Sequence, residues 1–190
     1  MTTTTLSPAP ERCRRQSGFT LVEVLISSGL SAFILTGVMT CFLFLGRSGA
    51  NIQNYTDMES QSRRGLEQFA QDVRQASAIT WNSASDITLT VDSASIRWAY
   101  NSGTGTLTRA TSSATRDMIT GITSFSYKAY SIAGAAINDF SSASALTTAG
   151  QTTKQIQISL EATRNTRTVA RATNLVLSAR YILRNKRVTA

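Results

Sequence analysis

The chain has 190 residues and a formal charge of +8, from 19 Lys and Arg against 11 Asp and Glu, with two cysteines and no histidine. The missing histidine excludes His-based catalytic triads, His-ligated zinc and imidazole proton shuttles together. The basic residues are spread along the chain with no interleaved aromatic stripe, which argues against nucleic acid as a partner.

Residues 1–18 read as a leader to be kept apart from fold reasoning: both prolines, Pro8 and Pro10, fall here beside Glu11-Arg12-Cys13-Arg14-Arg15. From Phe19 to Leu45 there is no Lys, Arg or Asp and a single Glu, Glu23. At about 1.5 Å per helical residue this run exceeds the roughly 30 Å of a bilayer core, so residues 19–46 are expected to form a transmembrane helix. It is too long for the apolar core of a secretory signal. Three Arg before the run and only Arg47 just after it place the N-terminus in the cytoplasm and the rest of the chain outside it. An uncompensated carboxylate in hydrocarbon costs several kcal/mol, on the order of 3, which makes Glu23 a candidate functional residue.

At Gly18-Phe19-Thr20-Leu21-Val22-Glu23 the sequence resembles the type IV prepilin family, which includes the pseudopilins of type II secretion. The resemblance implies that prepilin peptidase cuts between Gly18 and Phe19, that the new amine of Phe19 is N-methylated, and that Glu23 is the intersubunit assembly acid. Loss of the leader would take Arg12, Arg14, Arg15 and Glu11 with it, lowering the net charge from +8 to +6. It would also remove Cys13, leaving Cys41 in the apolar run and no internal disulfide. Many major pilins carry a proline in this helix. Here no proline follows the leader, which points away from an abundant filament subunit. Gly29, Gly37, Gly46, Ser27, Ser28, Ser31 and Thr36 are small residues of the kind that let helices in lipid approach closely, although a serine or threonine hydroxyl also bonds back to its own helix.

Residues 47–80 are expected to continue the helix as an amphipathic spine. Ile52, Tyr55, Met58, Ser62, Leu66, Phe69, Val73 and Ala76 form one stripe, with Arg63, Arg64, Glu67, Gln68, Asp72 and Arg74 largely on the polar side. Gly65 inside it marks a bend or a tight contact.

Residues 81–190 read as a β-rich extracytoplasmic domain. Ile87, Leu89 and Val91 alternate inward within 86–92, as do Ile96, Trp98 and Tyr100 within 95–100. A turn at 101–105 leads to a short strand over 106–109. Over 122–130 the alternation puts Thr123, Phe125, Tyr127 and Ala129 on a buried face and Ile122, Ser124, Ser126 and Lys128 on the other. Residues 133–153, rich in Ala, Ser, Thr and Gly, read as a long loop. Ile156, Ile158 and Leu160 mark another strand, a turn at Asn165-Thr166 precedes a last strand over 172–183, and Arg184-Asn185-Lys186-Arg187 reads as a solvated basic tail.

The fold class expected is therefore α+β and pilin-like, a long N-terminal helix packed on an antiparallel sheet domain. The layout, the helix segment Arg64 to Arg74 and the closing Arg184-Asn185 resemble the J-type pseudopilins and the PilW-like minor pilins. That resemblance implies a structural minor pilin or pseudopilin, no enzyme and no cofactor or metal, which initiates or caps a type IV pilus or a secretion pseudopilus. Its partners would be prepilin peptidase, other pilins or pseudopilins, an inner-membrane assembly platform and membrane lipid. It would be a single-pass protein of the inner membrane before assembly. The alternative is a major pilin, or a surface adhesin or DNA-uptake pilin.

Overall fold

A computed structural model describes residues 18–163 and 174–188. A helix α1 (Leu21–Gln75) is followed by strands β1 (Ala78–Ser83), β2 (Asp86–Val91), β3 (Ala94–Asn101), β4 (Thr106–Ala110), β5 (Thr115–Ile119), β6 (Ile122–Tyr130) and β7 (Ala136–Ile137). Helix α2 (Ala143–Thr152) and strands β8 (Gln155–Thr163) and β9 (Asn174–Ile182) complete the order. Every pairing is antiparallel, in one sheet ordered β1-β2-β3-β4-β5 and a second ordered β7-β6-β8-β9. This is the expected α+β, pilin-like arrangement of a long apolar N-terminal helix and antiparallel sheets. The chain divides into two units, one ending at Leu45 and the other beginning at Gly46.

In the second unit the C-terminal part of α1 supplies one wall of the core. Met58, Ser62, Gly65, Phe69, Val73 and Ala76 are buried at three- and four-residue spacing, whereas Ile52 and Tyr55 stay exposed. The stripe is thus real but begins at Met58 in its apolar members. Phe69 is its centre, edge-on to Trp98 of β3 at 5.2 Å between ring centroids, edge-on to Tyr181 of β9 at 5.6 Å, and stacked on Tyr127 of β6 at 5.9 Å. Such pairs add about 0.5–1.5 kcal/mol each beyond area burial. Gly65 marks a tight contact: a Cβ there would come 2.7 Å from Cγ1 of the buried Ile119 on β5.

Asp72 departs from the expected polar side of the helix. It is buried, and its carboxylate accepts hydrogen bonds from Arg109 Nε at 2.7 Å, Arg109 Nη2 at 3.2 Å, Trp98 Nε1 at 2.9 Å and Gln68 Nε2 at 3.1 Å. The acid sits one position from the apolar Val73, so the helical period carries it to the edge of the packed face. There β3 and β4 bring the donors that compensate its burial.

The sheets follow the alternation closely. In β8, Ile156, Ile158, Leu160 and Ala162 all point inward. In β6 the aromatic face is the inner one, with Tyr127 buried and Phe125 packed against the core, but Ile122 is buried as well. The cause is a bulge: Ile122 pairs with Ala162 and Ser124 with Glu161, so Thr123 is the extra residue and the side-chain phase reverses there. Strands β1 and β5 were not expected. Helix α1 ends at Gln75, five residues short of the spine expected over 47–80, and β1 takes over at Ala78, while β5 carries the polar run Thr115-Arg116-Asp117, which shows no alternation because both its faces are largely exposed.

Two further expectations are corrected. Residues 133–153 contain the short strand β7 and the helix α2, whose N-terminus is capped by Ser142 Oγ accepting from Ala145 N at 3.1 Å. The helix has only Ala149 buried and so no readable stripe; it is held by close approach to β1, where a Cβ on Gly150 would lie 3.0 Å from the Ile79 carbonyl. The basic segment 184–187 is solvated at Arg184, Asn185 and Arg187 but is tied down and buried at Lys186. Asn185 Nδ2 donates to the Gln75 carbonyl of α1 at 3.2 Å, and Lys186 is buried against the end of α2. The expected turn at Asn165-Thr166 and the first residues of the last expected strand lie outside the described residues.

Two predictions follow the core and the turns. Asp72→Ala should destabilise the detergent-solubilised chain by about 3–5 kcal/mol in chemical denaturation, because it leaves the Arg109 guanidinium and the Trp98 indole without their acceptor. The β2–β3 hairpin turns on Asp92 and Ser93, both at positive φ, 47° and 67°. That two-residue turn favours glycine at its second position, so Ser93→Gly should raise the melting temperature, by a stabilisation of about 0.5–1 kcal/mol.

Candidate assembly site

The first described residues, Gly18, Phe19 and Thr20, are non-helical, and α1 begins at Leu21. Thr20 organises the start: its Oγ1 accepts from Glu23 N at 3.3 Å and its carbonyl from Val24 N at 3.2 Å. The first satisfies a donor that a helix N-terminus otherwise leaves without a partner, and the second is the first bond of the helix itself. The pattern Thr20-Leu21-Val22-Glu23 has the spacing of a capping box, a local signal in the sequence for where the helix starts. Glu23 is the acid of the first turn, where a negative charge is favoured by the helix dipole.

The three residues expected to act together are neighbours here for simple reasons of sequence. Gly18 and Phe19 lie just ahead of the cap, and Glu23 one turn into the helix. Phe19 is 83% exposed, and Glu23 has no ion-pair partner among the described residues. Around Gly18 the space is open, with nothing within 4 Å of where a Cβ would stand. Among the described residues nothing therefore requires glycine at 18.

Beyond Glu23 the serine and threonine hydroxyls donate to carbonyls of their own helix. Ser27 Oγ donates to Val24 O at 3.1 Å, Ser28 Oγ to Leu25 O at 3.0 Å, Ser31 Oγ to Ser27 O at 2.7 Å and Thr36 Oγ1 to Ala32 O at 2.8 Å. With backbone and hydroxyls satisfied inside one helix, this stretch meets the condition for lying in hydrocarbon. Its apolar side chains, such as Phe33, Leu35, Phe42 and Phe44, stay exposed all round, and the stretch reaches a mean hydropathy of 2.0 with none of it buried among the described residues. A helix apolar on every side needs lipid or other helices around it. Cys41 is exposed on the same stretch. Glu23 is then the one group whose charge the segment leaves uncompensated, and the chemistry it offers is acceptance of a cation.

Residues 13–39 match the family model described as the prokaryotic N-terminal methylation motif, a span that takes in Gly18, Phe19, Glu23 and the first part of α1. No curated protein matches the chain. The motif, carried on an apolar helix that leads into antiparallel sheets, indicates a type IV pilin- or pseudopilin-like protein.

Proposed function

We propose that the protein is a minor pilin or pseudopilin, processed by prepilin peptidase between Gly18 and Phe19 and assembled through α1 into a type IV pilus or a secretion pseudopilus, where it initiates or caps the filament. The observation that carries this reading is the methylation motif, read with a helix whose apolar side chains are exposed on every side. Prepilin peptidase and neighbouring pilins are the partners the motif implies. Anchoring in the inner membrane before assembly, N-terminus in the cytoplasm, agrees with the three Arg that precede the helix.

Cleavage after Gly18 would free an amine at Phe19, two residues ahead of the first helical residue. In a bundle of such helices the Glu23 carboxylate of one subunit accepts the amine of its neighbour. Both charges are costly in a low-dielectric core and each is tolerable only opposite the other, so the pair selects one axial offset between helices. Among the described residues Gly29, Gly37 and Gly46 have open space around them, which leaves their close-approach surface available to neighbouring helices.

Mass spectrometry of the protein extracted from membranes should find N-methylated Phe19 as the first residue, and Gly18→Val should leave the globular unit folded while the leader stays attached. An intact leader on the native chain, or normal removal from Gly18→Val, contradicts the processing step. Glu23→Gln keeps the capping-box spacing and removes only the charge. It should be processed normally yet fail to enter filaments, with a loss corresponding to about 3–5 kcal/mol for an amine left unpaired in the bundle. Filament or secretion-complex formation at the native level by Glu23→Gln and Glu23→Ala would rule out the ion pair.

A further inference from the structure

The side chain of Lys186 makes an arrangement that the assembly reading does not use. Helix α2 ends at Thr152, and like any helix it leaves its last carbonyls without intrahelical donors. The Lys186 ammonium lies among them. Its Nζ donates to Gly150 O at 2.5 Å, Gln151 O at 2.9 Å and Thr153 O at 2.7 Å. An ammonium has three N–H donors, and here three carbonyl oxygens take all of them. The residue is 6% exposed, and no carboxylate is paired with it among the described residues.

The surroundings make the cage rigid. Thr153 N and Oγ1 both donate to Ala149 O, and the buried Trp81 indole donates to Thr153 Oγ1 at 3.2 Å, so Thr153 cannot swing its carbonyl away freely. Close packing of Gly150 on the Ile79 carbonyl of β1 fixes the other end. Lys154 donates through Nζ to the Lys186 carbonyl, tying the same segment from the opposite side. Burial and the like charge of Lys154 push the Lys186 ammonium down, to about 8, and the three oxygens at the negative end of α2 act against both, so the group is an ammonium at neutral pH.

We propose that the three carbonyls at the end of α2 constitute a site for a monovalent cation of the primary-ammonium class, and that its resident cation is the tethered Lys186 side chain. The C-terminal segment is thereby fastened to α2 by an ion, while Asn185 fastens it to the last turn of α1. Shortening the tether vacates the site without altering the oxygens that form it, since all three belong to the backbone.

The test uses the full chain in detergent micelles. Lys186→Ala should lose thermal stability, and methylammonium chloride at neutral pH should restore most of the lost melting temperature in a saturable way. Tetramethylammonium chloride at the same concentration should not, because it has no N–H to donate. The native protein, whose site is filled, should respond equally to both salts. Equal responses of the variant to the two salts, or none, overturn the proposal, as does a Lys186→Met variant as stable as the native chain. Should Lys186→Ala fail to fold in ordinary buffer, the refolding yield in the two salts gives the same contrast. Recovery in methylammonium alone supports the site, and recovery in neither or in both overturns it.

Discussion

One helix carries two kinds of surface, apolar all round and then one-sided, and this constraint shapes the rest of the molecule. In α1 the residues before Leu45 present apolar side chains on every side and hide their hydroxyls in their own backbone, whereas from Met58 onward a single face is buried and the others carry charge. A helix can make that change without interrupting its hydrogen bonds because the bonds run along its axis and do not depend on what surrounds it. The first stretch needs lipid or other helices; the second needs the sheets. Each requirement is met by surface chemistry alone.

The globular unit shows how a narrow helical face can organise two sheets. Phe69 contacts aromatic rings from β3, β6 and β9, and Gly65 lets β5 come close. Asp72 adds direction to this apolar contact. Its bonds to Trp98 and Arg109 tie the helix to two neighbouring strands by groups that have few ways to be satisfied, and an error of one turn in the helix position would leave both a buried acid and a buried indole without partners. The C-terminal segment repeats the device at smaller scale, since Asn185 and Lys186 each satisfy carbonyls at a helix end.

Glu23 belongs to a helix start already capped by Thr20, where its charge is favoured by the dipole. In the bundle we propose, the same carboxylate would accept a neighbour's amine, and a place in the first turn is compatible with both.

Much of this was legible in the amino-acid sequence because it depends on local period and spacing. The apolar run, the Gly18-Phe19-Glu23 spacing and the alternation in β2, β3, β6 and β8 are short-range properties, whereas whether Gly65 marks a bend or a tight contact was decided only by the arrival of Ile119 beside it. Tertiary structure alone decided the features whose meaning lies in distant partners. Asp72 reads as a surface acid until Trp98 and Arg109, 26 and 37 residues away, arrive beside it. Lys186 reads as part of a basic tail until the end of α2 is placed around it, and α2 itself has too few apolar side chains to announce a helix before β1 supports it. A charged residue's sequence neighbours say how soluble the segment is; only the fold says whether a buried acceptor or donor waits for it.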